Sequence, residues 1–546
     1  MKNRILISLF ALLLTLFVGR LYFHEGIPFT HDGENHLARF ANYKLALKEG
    51  QFPPRIAPTL FNRYGYPVFN YNYPLPSLLS LPFSLAKINY ETTFKILVLL
   101  SLLWGSFGAL LCTKKYGDSL TAQGIVVLLW FTNPFILTTM YYRGSIGEIF
   151  AYSLLPWLLR SIQILLQSKI TARTFVSQVI FWTLFFLSHN STVLVVTPLL
   201  ILLGIGTFGK NKVAILRFSI MLFWAFILSA WFWLPAVFEA SATVVTRSAN
   251  QSAITDHFAT MQQLLFAPLS FGFSYSGMID SLGLSIGWIP FILIAISIGY
   301  VVIKKQYTEH SLHYFITISV FLIFLQIEMS ALIWKLVPIL RFIQFPWRLS
   351  LVFFVFLLPV AAHVGVSLQK YARLLFILLM FVAIYSVLNI KPVDYFHKST
   401  IDYDAYTQST STQNENVPSN FTYLGIGDWQ PSARIIEGDG TISTNFWTTI
   451  KHEYTVESQT EVTIVEPVML FPGWETTANG EKMVYTDDEI IEGRLAFRLV
   501  PGKHSVTTIF TQKTMPRVIG NSLSILGCIA LGMMVLVSKR KVQKQS

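Results

Sequence analysis

Charge is what this sequence is shortest of. Only 13% of its 546 residues are Asp, Glu, Lys or Arg, against about 25% in a soluble globular domain, so an ordinary water-facing surface is excluded. Cysteine is scarcer still. Cys112 and Cys528 are the only two, each inside an apolar run, which leaves no disulfide framework and no CxxC metal site. No Gly-rich phosphate loop, zinc-ligand spacing or nucleophile elbow occurs, and this argues against nucleotide-driven chemistry on a cytoplasmic face. No repeat of solenoid length is evident. The formal charge of +12 would suit nucleic acid if it formed a patch. Its Lys and Arg fall instead in short clusters between apolar segments, where they carry topology, and no nucleic-acid partner is expected.

What is present is apolar: 53% of residues are hydrophobic, with 45 Phe and 13 Trp, and the mean hydropathy is +0.53. This composition describes an α-helical polytopic membrane protein. Lys2 and Arg4 precede the first apolar run, and Gly19-Arg20-Leu21-Tyr22 offers no small-x-small cleavage site, so an uncleaved anchor is expected. Stretches of roughly spanning length, about 20 residues, lie at 5–23, 92–112, 120–140 and 148–166. A pair at 175–187 and 193–206 hinges at His189-Asn190, and a further span lies at 218–238. Others end at Lys304-Lys305, cover 314–333, run from Arg348 to Lys370, and reach Ile390. The last lies at 518–537. About twelve spans place every basic cluster, from Lys114-Lys115 to Lys539-Arg540-Lys541, on one side, the cytoplasmic one. Segment 75–86, broken by Pro76 and Pro82, reads as re-entrant or interfacial.

The expected organisation is a multi-span domain over 1–390 with a first outer loop at 24–74, a β-rich extracytoplasmic domain over 391–516, and a final helix with a basic tail over 517–546. Asn479-Gly480 and Pro501-Gly502-Lys503 separate alternating apolar runs and read as hairpins.

Ionisable residues beside membrane helices are costly and usually face an interior cavity. The topology brings several groups of them to the outer side. The densest is His31-Asp32-Gly33-Glu34-Asn35-His36, followed by Arg39. Arg55 and Arg63-Tyr64 follow in the same loop. Arg143 and Glu148, then His189-Asn190, then Arg341, Gln344 and Arg348 complete the set. Asp32 and Glu34 can chelate a divalent cation such as Mg²⁺ or Mn²⁺, or supply a general base; Asp32 can equally cap a helix through His36 and Leu37. His31 and His36 are five apart, not the i, i+4 pair of a helical zinc site, and either ligate a metal or hydrogen-bond to backbone or substrate. Arg348 and Arg341 offer planar forks suited to phosphate oxygens, or simply anchor the interface. Arg143 and Glu148 read by default as a structural ion pair.

His31-Asp32-Gly33 with His36-Leu37 and Arg39, Phe52-Pro53-Pro54-Arg55, and Tyr64-Gly65-Tyr66-Pro67 together resemble the bacterial membrane family labelled 6-pyruvoyl-tetrahydropterin synthase-related. Arg143-Gly144 with Glu148, Ser188-His189-Asn190 and Phe345-Pro346-Trp347-Arg348 extend that resemblance over most of the membrane part, and Phe471-Pro472-Gly473-Trp474 is similar to YfhO-like membrane proteins. Nothing here resembles the soluble pterin enzyme with its three-histidine zinc site. More distantly the arrangement resembles the GT-C glycosyltransferases, and that resemblance implies a hexosyl- or pentosyltransferase of the bacterial inner membrane. Its active face would be extracytoplasmic, and it would move a sugar from a polyprenyl-phosphate donor to a glycan or lipid acceptor. Asp32 would be base or metal-positioning acid with Glu34 beside it, and Arg348, with Arg341, would hold the lipid phosphate. His36, Arg39, Arg55, Arg63, Tyr64, Arg143, Glu148, His189, Asn190 and Gln344 would be further substrate contacts. The WWDYG-type signature of oligosaccharyltransferases is absent, against peptide glycosylation. Two alternatives stay open: a transporter or flippase for a lipid-linked glycan, and a non-catalytic assembly partner for cell-envelope glycans.

The charge pattern makes one direct prediction. A cysteine placed at position 430 is labelled by a membrane-impermeant thiol reagent in intact spheroplasts, whereas one at position 305 is not. The reverse labelling would overturn the layout.

Overall fold

The computed structural model describes residues 2–244, 257–275, 281–304, 310–411, 414–422, 429–486 and 491–543. The chain opens with α1 (Lys2–Val18), β1 (Ile27–Pro28), α2 (Gly33–Lys48), α3 (Leu75–Leu85) and α4 (Tyr90–Thr113). It continues through α5 (Leu120–Thr132), α6 (Pro134–Thr138), α7 (Ile146–Leu165), α8 (Ala172–Phe186), α9 (Asn190–Phe208) and α10 (Lys212–Phe238). Then come α11 (Met261–Phe266), α12 (Ile289–Lys304), α13 (His310–Phe324), α14 (Ala331–Leu336), α15 (Ser350–Ser367) and α16 (Tyr371–Leu388). Polar residues punctuate this apolar chain at helix starts. Asn89, Ser119, Asn133, Thr171 and Asn211 each accept a hydrogen bond from the first turn of the helix that follows, satisfying donors that lipid would leave bare.

Every stretch expected to span holds a helix, but their lengths differ from expectation. Among the described residues seven helices are long and apolar enough to cross a membrane, or eight if the pair Leu312–Phe324 and Glu328–Leu336, bent by 100°, is one span. That bend breaks the stretch expected as a straight span at 314–333. α1, α8 and α12 have 17, 15 and 16 residues, short of the ~20 that a span takes. α3 has 11 residues, about 16 Å of helix against ~30 Å of hydrocarbon, so it does not cross. α15 sits at the centre, 89% buried, while α16 and the last helix are only 22% buried. A helix apolar all round belongs in the core of a bundle, and α15 is that helix.

The first outer segment is not the plain loop expected. Its residues 33–48 form α2, whose Leu37, Ala38, Phe40 and Ala41 are fully buried. Residues 391–411 run across α2 as a strap, carrying β2 (Tyr395–Phe396), which pairs with β1, and α17 (Thr400–Asp404). Lys44 Nζ lies 2.9 Å from both Asp404 oxygens, and Tyr90 Oη donates to Asp404 at 2.6 Å.

Strands of the polar domain begin at Arg434. β3 (Arg434–Glu437), β6 (Val462–Met469) and β9 (Arg494–Leu499) make one antiparallel sheet. β4 (Gly440–Trp447), β5 (Lys451–Ser458), β10 (Gly502–Phe510), β7 (Trp474–Ala478) and β8 (Glu481–Lys482) make the other. Side chains of both sheets, Ile464, Phe497 and Leu499 from one and Tyr454, Val456 and Val506 from the other, share one core, which is a sandwich. Asn479-Gly480 is a hairpin turn between β7 and β8, both residues at positive φ. Pro501-Gly502 is not a hairpin. β9 pairs with β6 and β10 with β5 and β7, because the chain changes sheets there so that both strands face the shared core.

One buried ion pair fastens this domain and α18 (Met515–Gln543) to the membrane part. Arg517, fully buried, places Nη2 at 2.8 Å from Glu239 Oε2 and donates to the carbonyls of Pro472 and Thr511. Gly473, at φ +112, leaves room for it, since a Cβ there would lie 2.4 Å from Arg517 Nη1. Glu239 is completed by Asn70 at 3.0 Å and Thr514 at 2.5 Å. The first outer segment, α10, the sandwich and α18 therefore meet at one carboxylate.

Removing one partner of a buried pair strands the other charge, at about 3–5 kcal/mol. Glu239→Ala and Arg517→Ala are each expected to lower the thermal midpoint of the detergent-purified protein strongly. The double variant Glu239→Leu/Arg517→Met should lose less than the sum of the two. Strict additivity in that cycle would show that the pair is not coupled.

Candidate functional site

The site begins with backbone. His31 N donates to the Tyr142 carbonyl at 3.2 Å and Asp32 N to the Arg143 carbonyl at 2.9 Å, so the entry to α2 is sewn to the chain before α7. Gly144 makes this approach possible. It sits at φ +68, and a Cβ there would lie 2.3 Å from Thr30 Oγ1 and 2.7 Å from Gly33 N. Just before it, residues Thr139–Arg143 form a single π-type turn, a local widening often found at functional sites.

Around this seam the adjoining ends of several helices gather their charges. Glu148, in the first turn of α7 and 1% exposed, takes both terminal nitrogens of Arg143, one of them at 2.7 Å. Its Oε1 also lies 3.3 Å from Arg348 Nε and 3.9 Å from His189 Nε2. Aromatic faces back the two arginines: Trp347 lies 4.7 Å from the Arg143 guanidinium, and Phe345 lies 5.1 Å from that of Arg348, a favourable stacking for guanidinium. Arg348 Nη1 donates to Gln344 Oε1 at 2.8 Å. His189 caps α9, its Nδ1 2.8 Å from Thr192 Oγ1.

Asp32 differs from every other charged member of this group. It stands at the N-cap position of α2, yet its side chain makes no capping bond. Among the described residues its half-buried carboxylate makes no hydrogen bond or ion pair. It nonetheless faces Arg143, Arg348 and Tyr73 closely enough to interact with each electrostatically. Tyr73 fills the space between the histidines, with Oη 3.5 Å from His36 Nε2 and its ring 5.0 Å from that of His189.

Burial pushes the His189 imidazole down to about 4, and the Arg348 and Arg143 cations push the same way against the opposing carboxylate of Glu148. Burial also holds His36 well below the usual imidazole range, with Arg39 nearby adding to the effect. Both rings are therefore neutral at pH 7, and His189 is not an ion-pair partner there.

The other candidate residues go elsewhere. Glu34 is ion-paired with Lys398 of the strap. Arg39 donates to Thr410 Oγ1 at 3.1 Å, close to His36. Arg55 is fully buried in the second polar centre, donating to the Trp231 carbonyl at 2.7 Å and to Gln512 at 3.3 Å. Arg63 lies over Trp429, and the Tyr64 carbonyl accepts from Met469 N of the sandwich at 2.7 Å. Asn190 donates to the Tyr71 carbonyl at 2.7 Å, and Gln344 only supports Arg348. The Arg341 side chain lies outside the described residues. His31 stacks between Phe271 and Phe273, with centroids 4.7 and 4.9 Å away.

Asp32 and Glu34 do not make a joint cation site. One carboxylate faces arginines and the other holds a lysine. Among the described residues no three His, Cys, Asp or Glu side chains gather around one point.

Tyr73 and Trp347 at the centre, and Glu239 and Lys398 as partners, were not singled out from sequence. Tyr73 carried no signal among so many aromatics. Trp347 stood inside a quoted motif but read only as an interface anchor. Two small spaces of about 10 Å³, each with room for about one water, flank the arginines. Arg143 and Trp347 border the first, beside Ser285 and Ser350. Arg348 borders the second, between α9 and α15.

Residues 69–393, more than half of the chain, match the family model described as 6-pyruvoyl-tetrahydropterin synthase related domain, membrane protein. Among solved structures, the cryo-EM structure of the arabinofuranosyltransferase AftD from Mycobacteria is similar at 14% identity and a TM-score of 0.43, over 70% of this chain. The chain spans only 26% of the length of that one. The crystal structure of ArnT from Cupriavidus metallidurans bound to undecaprenyl phosphate is similar at 9% identity and a TM-score of 0.31, over 74% of this chain and 85% of that one. No curated protein matches.

The lowered histidines give a pH prediction. Each has a folded pKa below the unfolded value near 6.5, so its contribution to stability is complete above about pH 6.5 and lost as pH falls towards the folded value. The thermal midpoint of the purified protein should fall between about pH 7 and about pH 5, each histidine contributing up to ~1.4 kcal/mol per pH unit. His189→Asn should flatten that dependence; an unaltered slope would mean that His189 is not buried neutral.

Proposed function

We propose, since the chain belongs to the 6-pyruvoyl-tetrahydropterin synthase related family of membrane proteins, that it is a GT-C-type glycosyltransferase of the bacterial cytoplasmic membrane. On this reading it moves a sugar from a polyprenyl-phosphate donor to a glycan or lipid acceptor on the extracytoplasmic face. The observation that carries the reading is Asp32, a half-buried, unpaired carboxylate beside the buried Arg143 and the half-buried Arg348. A buried charge is normally paired, and a group left unpaired within an otherwise satisfied cluster is where a substrate proton can go.

The acceptor hydroxyl gives its proton to Asp32 as its oxygen attacks the anomeric carbon. The bond from that carbon to the lipid phosphate oxygen breaks, and the electron pair leaves on phosphate. Arg348 meets the leaving charge. Arg143 has both terminal nitrogens on Glu148, whereas Arg348 offers Glu148 only Nε, keeps Nη1 on neutral Gln344, and has no partner at Nη2 among the described residues. A single displacement with one base leaves no covalent intermediate and inverts the anomeric carbon.

The test is a lipid and glycan profile of cells lacking the gene, complemented at matched expression with wild-type or Asp32→Asn protein. One sugar decoration should vanish and return only with wild type, since loss of a general base costs roughly 10²–10⁴-fold. Full restoration by Asp32→Asn would sink the enzyme reading and leave a transporter or an assembly partner.

A further inference from the structure

The buried charges of the second polar centre do not balance. Two guanidinium groups, Arg55 and Arg517, face the single carboxylate of Glu239. Both arginines are 0% exposed and Glu239 is 5% exposed. Glu239 is already filled: Asn70, Thr514 and both Nε and Nη2 of Arg517 hold its oxygens, and none of these bonds comes from Arg55. Arg55 reaches only neutral acceptors, the Trp231 carbonyl at Nη2 and Gln512 Oε1 at Nε. Its Nη1 is buried with no hydrogen-bond partner among the described residues. Burial, with Arg517 adding to it, pulls this guanidinium down to about 9, which still leaves it charged at pH 7. A buried charge is normally paired, and this one is not.

A second donor near Arg55 also lacks an acceptor. Tyr43 of α2 is 2% exposed and close enough to Arg55 to interact with it electrostatically. Its hydroxyl makes no hydrogen bond among the described residues. Burial raises its pKa, so the hydroxyl keeps its proton and can donate it. One cationic and one neutral donor, with an uncompensated positive charge, call for an anion. A water would take the two hydrogen bonds but leave the charge. Both side chains are enclosed, so the anion is small; a lipid headgroup or a nucleotide phosphate would need an open side.

We propose that Arg55 and Tyr43 bind one monatomic anion, a chloride ion, where the first outer segment meets α10 and the sandwich. Arg55 already spans that joint. Its Nη2 is on α10, and Gln512, which meets its Nε, lies between β10 and α18 and donates to the Pro53 carbonyl at 3.0 Å. An anion on Nη1 neutralises the excess guanidinium and thereby stabilises the docking of the sandwich. The site serves assembly of the fold and is independent of the transferase reading.

The experiment follows the thermal midpoint of the full chain in detergent by intrinsic tryptophan fluorescence. Potassium gluconate is replaced stepwise by potassium chloride or bromide at constant ionic strength, so that screening does not change. A saturable rise of the midpoint is expected with either halide, as for any ligand that binds the folded state alone. Equilibrium dialysis against bromide should find one bound ion per chain. Arg55→Gln should abolish both the halide response and the bound bromide. Tyr43→Phe should weaken the apparent halide affinity by about threefold or more, the loss of one hydrogen bond. It removes only a hydroxyl, and it decides the matter if Arg55→Gln does not fold. Identical midpoints in gluconate and chloride would overturn the proposal and leave a water at Nη1. Unchanged halide affinity in Tyr43→Phe would overturn it too, by placing the ion on other cations.

Discussion

A carboxylate cannot be taken out of water at the edge of a bilayer unless cations come with it, and Glu148 imposes that condition on everything around it. It is placed in the first turn of α7, where the helix dipole favours a negative charge, and α7 is packed all along its length against α4. Its partners must then arrive from elsewhere in the chain. Arg143 comes from the widened turn after α6 and Arg348 from the turn before α15, while the neutral His189, at the break between α8 and α9, lies 3.9 Å away without pairing. The adjoining ends of these helices are therefore fixed relative to one another by electrostatics. Apolar contact alone could let them slide, since lipid competes for apolar surface on equal terms.

A second centre, Glu239 with Arg517, does the same work for the sandwich. Ile56 and Tyr71 also pack into the sandwich core, and the Tyr64 carbonyl accepts from Met469 N, so the pair adds to an apolar joint. With it, Asn70 of the outer segment, the end of α10, and the Pro472-Gly473 turn share hydrogen bonds around one ion pair. The strap over α2 is held by more exposed pairs such as Glu34 with Lys398 and Lys44 with Asp404, which contribute little individually. Buried contacts complete its hold, with Tyr403 in the main core and Arg39 donating to Thr410 Oγ1.

Much of this layout was legible in the sequence, for physical reasons. Apolar runs of spanning length declare membrane helices, and basic clusters orient them. Ionisable residues next to such runs are costly enough that their convergence could be expected before any coordinates existed, as for Asp32, Arg143, Glu148, His189 and Arg348. Partnership was harder to read. Glu34 lies two residues from Asp32, but its position on the first turn of α2 turns it to Lys398, 364 residues away. Arg55 resembles the other outer arginines in composition, yet it belongs to the second centre because of how α10 and α18 pack. The hairpin expected at Pro501-Gly502 failed because a turn signal specifies a reversal, not which sheet receives the next strand.

The difference between Asp32 and Glu148 shows what a static arrangement can say about chemistry. Both are carboxylates at helix starts, close to the same arginines. Glu148 is saturated: removing its proton acceptance would gain nothing for a substrate, because its oxygens already hold guanidinium. Asp32 keeps its acceptor capacity although the same arginines are near enough to stabilise its charge. That combination costs folding energy relative to a capped or paired Asp, and local rules of this kind are broken mainly where function requires it. The cluster is best understood as a frame in which Glu148 holds both terminal nitrogens of Arg143 and meets Nε of Arg348, leaving Asp32, among the described residues, the carboxylate beside these arginines that no side chain joins.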